Sequence, residues 1–477
     1  MKHINGVDRQ QALLLPESIE DYIALDNPVR FLDAFVGSLD MFALGFARTV
    51  PAATGRPPYS PADLLRLYLY GYLHRIRSSR ALERECHRNL ELIWLMGKLA
   101  PDFKTIADFR REHRASFKAV HRQFHLLCRK LDLFGGQLVA IDGTKLAAVN
   151  ARDCNFNQKK LEELLTRADA RLEEYCQQLD QADATESDEP KLTRQELEGK
   201  IMTLREKKDW HDELLAQLAC HEQKQLSTTD PDARKMHTAQ GPVVGYNAQS
   251  AVDEKHKLIV AEEVTNEVTD LRQLFDLANE AKETLGVEKL EAVADKGYYN
   301  TAAVSRCLQR GITPYIQKAN TSANTALGFY AKKDFTYDQD KDVYLCPAGA
   351  SLTYRFSTYE LGRALRYYRA SGCARCPLKS QCTRNKANRT ITREEDEHLM
   401  DEMAARVQAQ PEKLRRRKML VEHPFGTIKR WFGYTYFLVK GLEMVRAEWT
   451  LMTLAYNFKR VLNIINMTQL MKALAPV

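Results

Sequence analysis

The spacing of apolar residues changes period at Gly136, and that change restricts the chain to a helical segment followed by a mixed α/β core. Before Gly136, Pro61 opens a run through Leu64, Leu65, Leu67, Leu69 and Leu73, and Ser78-Ser79 offers a cap for the next helix. After it, Gln137-Leu-Val-Ala-Ile141 reads as a short apolar strand ending in Asp142-Gly143. Strand patterns return at Val243-Val-Gly-Tyr246 and Leu258-Ile-Val-Ala261, then a helix is expected over roughly 270–285. Leu290-Glu-Ala-Val-Ala294 reads as a buried strand ending at Asp295-Lys296-Gly297, with a helix from Asn300 to Arg310 behind it. Two acids thus occupy matching positions.

The core is interrupted twice. Over 158–224, Leu161, Leu165, Ala168, Leu172, Tyr175 and Leu179 alternate spacings of four and three, and Leu197, Ile201, Leu204, Lys208, His211, Leu215 and Leu218 repeat the pattern. The polar stretch Asp180 to Pro190 makes the turn of an antiparallel coiled-coil hairpin, which reads as a spacer or partner surface. Residues 317–393 form a cysteine-bearing insertion. Six of the ten cysteines are scattered, but Cys346, Cys373, Cys376 and Cys382 cluster. Structural zinc, an iron-sulfur cluster and unliganded thiols all fit that set; four thiolates with one CxxC pair favour zinc. Nearby Lys379, Arg384, Lys386 and Arg389 suit contact with DNA.

Lys and Arg number 70 against 63 Asp and Glu, a formal charge of +7 that permits a nucleic-acid partner without requiring one. Placement matters more. Arg77, Arg80, Arg84 and Arg88, then Lys104, Arg110, Arg111, Arg114 and Lys118, give the N-terminal helices basic faces, which fit either a DNA backbone or plain solvent. No apolar run is long enough for a bilayer and no leader pattern opens the chain, so the expectation is a cytoplasmic protein with no membrane partner.

Two-metal phosphodiester chemistry needs carboxylates converging on one point, because oxygen ligands suit Mg²⁺ and each ion polarises one side of the scissile phosphate. Asp142 and Asp295 close two strands, and Glu422, in a basic helical stretch, is the candidate third acid. Lys145 and Lys296 flank the first two, while Lys429 follows Glu422 by two helical turns and can hold a phosphate. Pro424 should kink or restart the helix. Trp431, Phe432, Tyr434 and Tyr436 read mainly as core, with an exposed ring able to stack on an unpaired base. Asp230 and Asp232 compete for a catalytic place but end no strand, and Asp230 reads as a loop or capping residue.

The segments Val139–Lys145, Ala292–Tyr299 and Val421–Arg430 resemble the three acidic blocks of bacterial insertion-sequence transposases, most closely the IS1182 family, related to the IS4-like group. The stretch from Asn27-Pro28 to Phe109-Arg110-Arg111, with Gly55-Arg-Pro-Pro-Tyr59, is similar to their helical N-terminal domain. The resemblance implies an RNase H-like catalytic core over 136–316 and 394–477, a DNA-binding helical domain over 1–135, and Mg²⁺ or Mn²⁺ at Asp142, Asp295 and Glu422. Its implied activity is cleavage at terminal inverted repeats of double-stranded DNA and joining of the 3′-hydroxyl to target DNA, by a homodimer that pairs two ends. Lys145, Lys296, Arg415, Lys418, Lys429 and Arg430 are the expected DNA contacts. One departure stands out: Arg415 and Lys418 lie where IS4-like elements carry Tyr and Arg, so a route through that Tyr, including a hairpin intermediate, is not implied.

Overall fold

The computed structural model describes residues 18–51, 57–150, 152–184, 194–220, 225–238, 240–318, 323–360 and 363–475. Gly55 and Arg56 of the Gly55–Tyr59 motif, and residues 185–190 of the predicted hairpin turn, lie outside them.

Among the described residues, six α-helices precede the sheet: α1 (Pro28–Gly37), α2 (Pro61–Leu73), α3 (Ser79–Cys86), α4 (Leu90–Leu95), α5 (Phe103–Glu112) and α6 (Arg114–Lys130). The sequence starts them in a recognisable way: proline is the first residue of α1 and α2, and Asn27 and Ser60 accept the backbone N–H two residues on, at 2.9 and 3.2 Å.

The central sheet is built from β1 (Leu138–Ala147), β2 (Arg234–Thr238), β3 (Gly241–Asp253), β4 (Ile259–Thr265), β5 (Leu290–Ala294) and β6 (Ile312–Ile316). Its order is β4-β3-β1-β5-β6, with β2 beside the start of β3. β3 is antiparallel to β1, whereas β1, β5 and β6 are parallel. Helix α9 (Leu274–Leu285) connects β4 to β5, and α10 (Thr301–Gln309) connects β5 to β6. The helices α7 (Gln158–Ala184) and α8 (Arg194–Ala219) pack on each other between β1 and β2, with Phe156, Leu161, Leu214 and Leu218 buried at their base.

A second, antiparallel sheet, ordered β11-β10-β9-β8-β7, comprises β7 (Thr336–Asp338), β8 (Val343–Leu345), β9 (Ser351–Glu360), β10 (Arg363–Ala370) and β11 (Thr390–Glu394). Its small core is Phe335, Tyr344, Leu352, Tyr368, Ala370 and Ile391. The chain closes with α11 (Glu397–Ala409), α12 (Pro411–Gly426), α13 (Leu442–Ile464) and α14 (Met467–Leu474). Among the described residues, no helix is long and apolar enough to cross a membrane.

One continuous apolar core runs from Ile23 through the sheet to Leu470, and α13 lies at its centre. Each fully buried Leu or Phe there is worth about 1.5–3 kcal/mol. Phe458 of α13 stacks on Phe124 of α6 at 4.3 Å and meets the edge of Phe35 of α1 at 5.2 Å. The Asn457 amide closes the β4 backbone, accepting from Ile259 N at 2.9 Å and donating to Ile259 O at 2.8 Å.

This packing redirects part of the expected DNA surface. Arg77 is buried, donating to Glu448 Oε1 at 3.3 Å and to the Tyr436 carbonyl at 2.8 Å. Arg110 donates to the Tyr72 hydroxyl at 3.4 Å, and Lys118 pairs with Glu280 at 2.8 Å. Arg77 and Arg110 thus serve a buried carboxylate and a buried hydroxyl, whereas Lys118 and Glu280 pair at a half-exposed position. Helix α12 is not restarted at Pro424: it runs on to Gly426, and the backbone widens immediately afterwards into a π turn at Thr427–Trp431. The Thr427 hydroxyl donates to the His423 carbonyl at 2.9 Å across that turn.

Candidate active site

Parallel pairing sets the first two acids side by side. β1 and β5 are in register as Leu138–Glu291, Val139–Ala292 and Ala140–Val293, and continuing that register by two residues brings Asp142 level with Asp295. Asp142 Oδ1 accepts the Gly143 N–H at 2.9 Å, and Oδ2 accepts Arg417 Nη1 at 2.9 Å. Burial pushes the Asp142 carboxyl above its ordinary range; Arg417 and the Gly143 N–H pull it down, and the charge of Asp295 adds to the rise. Asp295 caps the short turn Lys296–Tyr298, accepting the Gly297 N–H at 2.7 Å. Gly143 has to be glycine for a steric reason, since a Cβ there would stand 2.2 Å from Gln249 Nε2 and 3.0 Å from Asn247 Oδ1.

α12 lies over the two strands. Lys413 Nζ spans both oxygens of Glu291 at 2.6 Å, Arg416 reaches Glu254 at 2.7 Å, and Leu420, Val421 and Pro424 are buried. Glu422 is on this helix, but its side chain is 64% exposed and paired with Lys418 at 3.7 Å. The structure therefore brings Asp142 and Asp295 together and leaves the Glu422 carboxylate turned to solvent. Among the described residues, no group of three Asp, Glu, His or Cys is spaced to hold a metal ion.

The predicted DNA contacts divide likewise. Lys296, Arg415, Lys418 and Arg430 are exposed. Lys429 sits in the π turn, half-buried, with Nζ 3.4 Å from the Lys145 carbonyl, and burial lowers its pKa. Lys145 is only 14% exposed and gives its charge to Asp270 at 3.0 Å. Asp270 was not singled out by the sequence pattern. It also accepts from Asn247 Nδ2 at 2.6 Å and Gln249 Nε2 at 2.7 Å, both of them buried.

The competing acids have a structural task. Asp230 Oδ1 accepts the Gly441 N–H at 3.2 Å and the Tyr246 hydroxyl at 2.8 Å, and Asp232 Oδ2 accepts the Leu442 N–H at 2.9 Å. Together they cap α13 from a distant loop, next to its positive N-terminal end. Trp431 and Tyr436 are exposed, whereas Phe432 and Tyr434 are buried.

In the second sheet, Cys346, Cys373, Cys376 and Cys382 line one cavity of about 30 Å³ with Tyr330, Leu378 and Arg389. Arg389 N donates to Cys373 Sγ at 3.5 Å. Burial pushes the Cys382 thiol up; Arg389 opposes this, and the other three sulfurs reinforce it. Arg384 and Lys386 are exposed beside the cavity.

With this geometry in view, the family comparisons divide the chain. Residues 345–462 match the family model described as "Transposase DDE domain", and residues 17–112 match "Transposase domain (DUF772)". Both are transposase domains. The two matches support an insertion-sequence DDE transposase; they span the cysteine cluster, Glu422 and the N-terminal helices, and leave Asp142 and Asp295 in the stretch between them. No curated protein matches. Among solved structures, the chain is similar to the piggyBac transposase in a synaptic complex with hairpin DNA, at 9% identity over 94% of this chain and 79% of that one. The TM-score of 0.32 is too low for that likeness to bear on the fold.

Proposed function

We propose that this chain is a DDE transposase with an RNase H-like core that cuts the terminal inverted repeats of an insertion sequence and joins the freed 3′-hydroxyl to target DNA. The observation that carries this reading is the placement of Asp142 and Asp295, level on adjacent parallel strands beneath the helix that holds Glu422 in the segment matching the DDE domain. The sheet order, with β3 reversed against three parallel strands, supports the same core.

The residues fit a divalent cation in a specific respect: two carboxylates stand together, one of them with its pKa raised, and a guanidinium partly offsets their repulsion. Bound Mg²⁺ or Mn²⁺ would polarise the scissile phosphate and activate water or a 3′-hydroxyl. Asp142 and Asp295 would supply hard oxygen ligands, Arg417 supplies positive charge at the same place, and Glu422, paired with Lys418 at 3.7 Å and turned to solvent, would have to be brought round to the pair to complete the set. Lys429, desolvated in the π turn, and exposed Lys296 and Arg430 face the DNA backbone in this reading. Synapsis of two ends calls for two copies of the chain. The four cysteines line one cavity but are not spaced for a metal as they stand, and they are proposed as a structural zinc site that closes around the ion when it binds.

The test is incubation with Mg²⁺ or Mn²⁺ and end-labelled duplex from the DNA flanking its own coding sequence, with a plasmid as target. Asp142→Asn and Asp295→Asn are expected to lower cleavage by about a hundredfold or more. Undiminished cleavage by either variant refutes the site, Glu422→Gln at the wild-type rate removes Glu422 from it, and cleavage without joined product makes the protein a hydrolytic nuclease.

A further inference from the structure

A polar ledge crosses the sheet beside the acid pair. Lys145 and Asn247 are cross-strand partners, as are Gly143 and Gln249, so Lys145, Asn247 and Gln249 share one face of β1 and β3. Buried amides and ammonium groups are costly there unless each finds an acceptor. All three find the same one: Oδ1 of Asp270 takes Lys145 Nζ at 3.0 Å, Asn247 Nδ2 at 2.6 Å and Gln249 Nε2 at 2.7 Å. Asp270 comes from the loop between β4 and α9, so one oxygen ties that loop to two strands.

The ledge continues into the turn that carries Asp295. The side-chain amide oxygen of Gln249, Oε1, accepts the hydroxyl of Tyr298, which is fully buried and ends the turn that Asp295 begins. On the near side, a Cβ at Gly297 would stand 3.6 Å from Asp270 Oδ2 and 2.9 Å from Asp295 Oδ1, so both carboxylates lie close to that position. Asp270 therefore supports this turn through Gln249 and Tyr298.

We infer that Asp270 is a positioning residue for the acid pair: acting through Gln249 and Tyr298 it sets the turn that presents Asp295, and through Lys145 it fixes a cation beside the site. The inference rests on reading Asp142 and Asp295 as the ion-holding pair. A ligand's supporting hydrogen bonds commonly govern metal affinity by about 10–100-fold.

The experiment measures Mn²⁺ affinity of the full chain without DNA, by electron paramagnetic resonance of the free ion, alongside kcat and KM for end cleavage. Asp270→Asn keeps the shape and removes the charge. It is expected to weaken Mn²⁺ binding at least about tenfold and to lower kcat with KM for DNA within about threefold. Tyr298→Phe leaves the Lys145–Asp270 pair intact and severs the link to the turn, and is expected to weaken Mn²⁺ binding by about threefold or more. Wild-type Mn²⁺ affinity in Asp270→Asn, or in Tyr298→Phe should Asp270→Asn fail to fold, overturns the inference. If the wild-type chain cuts no DNA while these affinities fall as expected, the inference stands and the transposase reading does not.

Discussion

Glu448→Ala should be among the most damaging single changes outside the active site. Glu448 is fully buried at the joint between the N-terminal helices and α13. Its Oε1 accepts from Arg77 Nη1 and from the Tyr72 hydroxyl, each at 3.3 Å, and Oε2 accepts the Leu438 N–H at 2.8 Å. Truncation leaves Arg77 buried without its anion and withdraws the countercharge that Arg110 feels. Removing one partner of a buried pair costs about 3–5 kcal/mol. At about 1.4 kcal/mol per factor of ten, the folding equilibrium falls by about two to three and a half powers of ten. Equilibrium unfolding in urea, followed by tryptophan fluorescence, reads this directly. A loss below about 1 kcal/mol refutes the reasoning, since that is the range of a surface pair. Burial pushes the Glu448 carboxyl up despite Arg110 and Arg77, which marks the charge itself as a net burden. The triple variant Glu448→Leu, Arg77→Met, Arg110→Met should therefore be more stable than Glu448→Ala alone.

Two further outcomes are expected. Burial and Asp295 raise the Asp142 carboxyl, with Arg417 opposing, so Arg417→Gln should raise it further and move the acid limb of Mn²⁺-dependent cleavage to higher pH; an unmoved or lowered limb contradicts this. For stability the sign is opposite, because a raised folded-state value favours folding most at acid pH and that advantage is lost as pH rises through it. Elemental analysis of freshly purified protein should find about one zinc per chain, released on Cys373→Ser; iron instead, or no metal at all, removes the zinc assignment.

Asp295 was legible as a strand-end acid because a short apolar run and its Asp-Lys-Gly ending are local. Asp142, expected to end its strand, instead lies inside β1, which runs on to Ala147 because Gly143 to Ala147 pair with β3 while the pairing with β5 stops short of Asp142. Glu422 was legible as a residue on a basic helix, but which way it points depends on the face that Arg417, Leu420 and Val421 turn to the sheet. Asp270 lies in a loop with no period to read, and its partners come from two strands. A usable clue existed, since Asn247 and Gln249 interrupt the apolar pattern of β3 on one face, and polar residues at alternate buried positions call for a shared partner. Arg77 and Arg110 look solvent-facing by spacing alone. Their anion lies 371 residues beyond Arg77, out of reach of any window along the chain.

The position of α13 in the core also constrains how the molecule comes into being. Its apolar surface is the one on which α1, α2 and α6 rest, yet ribosomes deliver those helices more than three hundred residues before α13. For most of its synthesis the amino-terminal third must hold greasy flanks with no permanent cover. Such a nascent chain invites holdase chaperones, and splitting the gene between the two ends should give fragments that precipitate apart and become soluble only when made together.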